Sequence, residues 1–161
     1  EQNIAHAMTA LMAQNKGAGK IDRMKEGFRS GIILEIIYGI LIFIICFVFA
    51  RPLMLMFVKD EEVIGHGVTY LHLISVMYLL PALTNGIQGF FRGIGDLKIT
   101  LISSFINMAL RVLAAAPLVL IWKMGIEALP YSYLAGWIGM LVAETPLLLK
   151  TYKTWGKKAG Q

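Results

Sequence analysis

Three charged residues stand inside runs that are otherwise apolar: Glu35, Arg111 and Glu144. In hydrocarbon such a charge costs several kcal/mol unless it finds a partner or water, so Arg111 or Glu144 is a candidate member of an ion or proton path. The plainer alternative is structural. Arg111 would cap backbone carbonyls freed by Pro117 or Pro81, while Glu35 and Glu144 snorkel towards nearby lysines. At the helical rise per residue, Arg111 lies ~18 Å along its run, Glu144 ~8 Å from one end and Glu35 ~6 Å from that same side. Arg111 and Glu144 therefore differ in depth, and Asn107, one turn away, is the nearer partner for the guanidinium. Uncharged polar residues add Tyr78, Asn85 and Gln88 in the preceding run, and these three with Asn107 and Arg111 are the candidate substrate-binding side chains. No catalytic constellation is visible: there is no His-Glu-x-x-His and no paired acid and base at matching depth, so an enzyme is not expected. Cys46 is the single cysteine, no Cys/His spacing suits a metal, and no cofactor is implied. His72, near a run's end, reads as an interfacial hydrogen bonder.

The elements that carry these residues are membrane-spanning helices. The sequence is 57% hydrophobic and 16% charged, where a soluble domain carries roughly a quarter. Four runs approach the ~20 residues needed to cross a bilayer: 31–50, 67–91, 99–122 and 129–149. A shorter stretch over 1–14 reads as the truncated end of another helix. The chain opens on Glu1 inside that stretch, which suggests a fragment. Lys and Arg alternate between the connections. Five fall between Lys16 and Arg29, two in 51–66 beside Asp60, Glu61 and Glu62, two in the tight 92–98 turn, Lys123 alone in the next, and four in the 150–161 tail. That places the first loop, the third loop and the tail in the cytoplasm. The net charge of +5 thus marks a membrane face, not a nucleic-acid stripe. Residues 52–58, aliphatic and capped by charge, suggest a short interfacial segment. Trp122 and Trp155 are placed as belt aromatics. Ser75, Tyr78, Ala82, Asn85, Gly89 and Arg92 share one helix face that either packs on a neighbour or lines a watery cavity.

Two turns carry more specific information. One is Gln14-Asn15-Lys16-Gly17-Ala18-Gly19-Lys20, the other Gly89-Phe90-Phe91-Arg92-Gly93-Ile94-Gly95-Asp96. Gly17, Gly19, Gly93 and Gly95 offer φ > 0 for tight reversal, and Arg92 is spaced to pair with Asp96. Gly-Ala-Gly is not a phosphate loop, since it follows a helix and lacks the Gly-Lys-Ser/Thr ending. Together, in this order around four spans, the turns resemble those of the multidrug and toxic compound extrusion (MATE) family, with Gln-x-x-Gly-Ala-Gly followed by Arg-Gly-x-Gly-Asp.

The resemblance implies an all-α membrane protein, the C-terminal lobe of a twelve-helix transporter from the end of helix eight through helix twelve. The partners it implies are a first lobe, the bilayer of a cell membrane, organic cation substrates, and sodium ions or protons as the coupling ion. Some family members hold a coupling carboxylate in the middle of the tenth helix. The matching stretch here, 77–85, contains no acid. A flippase of lipid-linked oligosaccharides or polysaccharides is the nearest rival, but such proteins tend to line their cavity with several cations and this stretch of chain has only Arg111 within a span.

Overall fold

The computed structural model describes residues 2–158, with side chains described as far as Trp155. Glu1 and residues 159–161 of the expected tail lie outside the described residues. Seven α-helices follow one another: α1 (Gln2–Gly17), α2 (Ile21–Val48), α3 (Ala50–Leu55), α4 (Glu61–Met77), α5 (Leu79–Gly93), α6 (Leu97–Leu120) and α7 (Ala128–Lys158). The fold is all-α. Among the described residues α2, α6 and α7 are each long and apolar enough to cross a membrane, and α4 with α5, bent by 46° at their break, are so as a pair.

Several boundaries differ from those set by hydropathy. The helix expected over 31–50 begins at Ile21, because Asp22, Arg23, Lys25, Glu26 and Arg29 are good helix formers or first-turn residues that continue it past the apolar stretch. The helix expected over 129–149 likewise continues to Lys158 through the residues expected as a tail. The run over 67–91 is two helices. Pro81 has no N–H to give and its ring crowds the carbonyl of Met77, where α4 ends. The other two span prolines, Pro117 and Pro146, lie inside unbroken helices. The short apolar segment forms α3, with Met56 and Phe57 exposed beyond it. Asp60 then caps α4 by accepting from the amides of Glu62 and Val63.

α5 is the centre of the molecule. Pro81, Ala82, Thr84 and every residue from Gly86 to Phe91 are buried, so the helix is enclosed nearly all round. Its glycines decide how closely neighbours approach. A methyl group at Gly89 would lie 2.6 Å from the carbonyl oxygen of Ala5, and one at Gly93 would lie 2.6 Å from that of Thr9. α1 therefore packs backbone against backbone, and the Thr9 hydroxyl donates across the seam to Gly89 O at 3.1 Å. α6 and α7 form a second seam, where Gly136 and Gly139 admit Arg111 and Leu110. The outer faces of α2 and α6 are strings of exposed Leu, Ile, Val and Phe, as the surface of a membrane protein should be.

Candidate functional site

The two glycine motifs end their helices in the same way. Gly19 and Gly95 have φ of 67° and 81°. At the first, Lys20 N donates to Asn15 O and Gly19 N to Lys16 O; at the second, Asp96 N donates to Phe91 O and Gly95 N to Arg92 O. Each is a Schellman cap, which satisfies carbonyls that a helix end would leave bare. Gly17 and Gly93 do not share the expected φ > 0: both are terminal helical residues, Gly93 small because α1 presses on it and Gly17 facing open space. Gln14 contributes its carbonyl, accepting from Ala18 N, while its side chain is exposed. Arg92 does not pair with Asp96. Its Nε donates back to Gln88 O at 3.3 Å, and Asp96 precedes α6 without a side-chain capping bond. The two turns meet, since Lys16 Nζ donates to Ile94 O. The sequence motifs thus build one closed end of the bundle, the basic end.

Above that end sits an aromatic cluster. Phe90 on α5 stacks with Phe28, Tyr152 and Trp155, the last at a ring separation of 5.2 Å. Trp155 is therefore part of a packed core, not only a belt residue, whereas Trp122 is exposed. A cleft of about 1000 Å³ opens between α2 and α7 beside this cluster, bordered by Lys25, Arg29 and Tyr152.

The intramembrane acids depart from expectation. Glu35 and Glu144 do not snorkel to lysines; both side chains are completely buried. Each faces α5 from a different neighbour. Glu35 on α2 packs against Gly86, where an added methyl would meet its Cγ at 3.6 Å. Glu144 on α7 accepts from Gln88 Nε2 at 3.3 Å through Oε1, and the buried Ser103 hydroxyl of α6 faces the same carboxyl. Small or polar residues at 86, 88 and 103 are what allow a carboxyl to approach. Hydropathy identified both acids but could not show which way they turn, because that depends on the position of α5.

The five candidate binding residues separate into three places. Tyr78 lies at the break between α4 and α5, and Asn85 is half-buried two turns further on. Gln88 is buried against Glu144. Asn107 and Arg111 belong to the α6–α7 seam. Asn107 reaches across the seam, where its Nδ2 donates to Met140 Sδ at 2.9 Å. Arg111 does not cap a proline-freed carbonyl; its guanidinium lies 3.8 Å from the centre of the Tyr133 ring. The spacing of Tyr133 from other aromatics gave no sign of this contact. His72 bonds Phe47 O at 3.0 Å and rests against that ring. Among the described residues no group of His, Cys, Asp and Glu is arranged to hold a metal.

Comparisons with known proteins converge on one family. The MatE family model matches residues 2–116. The "Probable multidrug resistance protein NorM" of Thermotoga maritima is 26% identical over 162 aligned residues, covering 97% of this chain and 33% of the relative. The solved structure described as "MATE transporter ClbM in complex with Rb+" superposes with a TM-score of 0.83 at 18% identity, over 94% of this chain and 36% of that one. The chain thus spans about a third of the length of the relatives it matches. Its long apolar helices are those of a multi-pass membrane protein, and the chain belongs to the MatE family.

Proposed function

We propose that the chain is part of a secondary active exporter that exchanges organic cations, drugs among them, for sodium ions or protons across the cell membrane. The observation that carries this reading is the break at Tyr78. Discontinuous helices place binding groups at the middle of transporters, where the loosened backbone can meet substrate. Here the broken crossing presents Tyr78 and Asn85 beside a helix enclosed on its remaining sides. The names of the relatives add drug resistance and a monovalent cation, both of which suit such an exchanger. In this reading the basic end, with Lys16, Lys20 and Lys150, faces the cytoplasm.

The test uses the full-length protein in proteoliposomes. An imposed sodium or proton gradient should drive accumulation of a fluorescent organic cation, and Tyr78→Ala should reduce the initial rate by about tenfold at equal reconstitution. Accumulation that ignores both gradients would reject the exchange reading. For the orientation, a reporter active only outside the cytoplasm, fused after the last residue, should stay silent.

A further inference from the structure

We propose that Glu144, Gln88 and Ser103 form an exchangeable site for one monovalent cation, a proton or a sodium ion, held at Glu144 Oε2 between α5, α6 and α7. The proposal rests on the transporter reading for its physiological role, but the site itself follows from the enclosure. Glu144 is completely buried among the described residues. Its Oε1 receives one amide donor, while Oε2 is buried without a hydrogen bond. Thr100, one turn from Ser103 on α6, has a buried hydroxyl oxygen without a hydrogen-bond partner. A buried carboxylate left with so little compensation costs several kcal/mol. A cation on Oε2 removes that cost, and oxygen atoms are the ligands a hard cation takes.

The surrounding charges do not already supply this compensation. On α5, Arg92 is engaged by Gln88 O. Glu35 approaches α5 at Gly86, and residues two apart on a helix point ~200° away from each other, so it lies on the far side from Gln88. On α7 itself Lys150 is exposed and Tyr152 is packed into the aromatic cluster. On α6 the group that faces the carboxyl is the uncharged Ser103 hydroxyl. Neither recorded ion pair among the described residues involves Glu144. Leu141 and Leu148, on either side of it along α7, pack on the Phe90 cluster, so apolar contacts flank the carboxyl. Release therefore requires α7 to part from α5, which couples the cation to a movement of helices.

The experiment is infrared difference spectroscopy of the full-length protein in detergent, alternating sodium chloride with choline chloride at constant pH, then changing pH at constant salt. A carboxyl signal that responds to sodium assigns a sodium site; one that responds only to pH assigns a proton site. In both cases Glu144→Gln should remove the signal. Ser103→Ala, which keeps the acid and the fold, should weaken the apparent affinity by about tenfold, as expected for one lost oxygen partner. A wild-type spectrum that responds to neither condition, or one unchanged in Glu144→Gln, overturns the proposal. Gradient-driven uptake measured on the same preparation separates this result from failure of the transporter reading.

Discussion

α5 and α6 are joined by a turn of three residues, yet they live in different surroundings. α5 buries residues on every side, whereas α6 buries only Ser103 and exposes Leu101, Phe105, Met108 and Val112. The cause lies less in their apolarity than in the size of their side chains. Glycines at 86, 89 and 93 let α2 and α1 close on α5, while the bulky residues of α6 meet a partner only along the face that α7 covers. The enclosed helix carries no acid of its own, and the two buried acids come to it from α2 and α7. A helix can thus gather buried acids around itself in a membrane without bearing one.

This contrast is broken most severely at the α1–α5 seam. Gly89→Val should destabilise the full-length protein by about 1–3 kcal/mol or more, because its methyls must displace the backbone of Ala5. Leu101→Ala on the exposed face of α6 should stay within ~0.5 kcal/mol. Thermal denaturation in detergent measures both, and equal effects would mean that α5 is no more tightly held than α6. Next comes the bend. Pro81→Ala restores an N–H that can reach Met77 O and should straighten the crossing, raising stability while slowing gradient-driven uptake. A straightened crossing with unchanged uptake would detach the break from function.

Smaller effects are expected at the α6–α7 seam. Arg111→Lys keeps a cation over Tyr133 and should preserve most uptake, while Tyr133→Leu removes a contact of about 0.5–2 kcal/mol. Comparison of several unrelated organic cations at matched abundance checks this. Selective loss for some substrates in Arg111→Lys would place the guanidinium, with its planar donor fork, in contact with substrate.

Much of the architecture was legible because bilayers impose simple patterns. Runs of apolar residues between clusters of Lys and Arg gave the long apolar helices, and the two glycine turns gave the family resemblance. The helix ends were less legible, since the charged residues from Asp22 to Arg29 end the apolar run without ending the helix. At the candidate site the sequence yielded Gln88 and flagged Glu144, yet not their contact. That contact joins α5 to α7 across 56 residues of chain and depends on the way α5 sits between its neighbours. Glu35 and Glu144 were legible as costly residues, but depth counted along a helix says nothing about the side to which a carboxyl turns. The Arg111–Tyr133 stacking was hidden for the same reason.

The central claim is that transport depends on the polar groups gathered at α5 and not on the apolar faces around them. Its most direct test is gradient-driven uptake by full-length Gln88→Leu beside full-length Phe105→Leu, at equal abundance in the same vesicles. Gln88→Leu should lose about tenfold in rate, because it strips the amide from buried Glu144, while Phe105→Leu should remain within about twofold of the parent. Full gradient-driven uptake by Gln88→Leu would contradict the account.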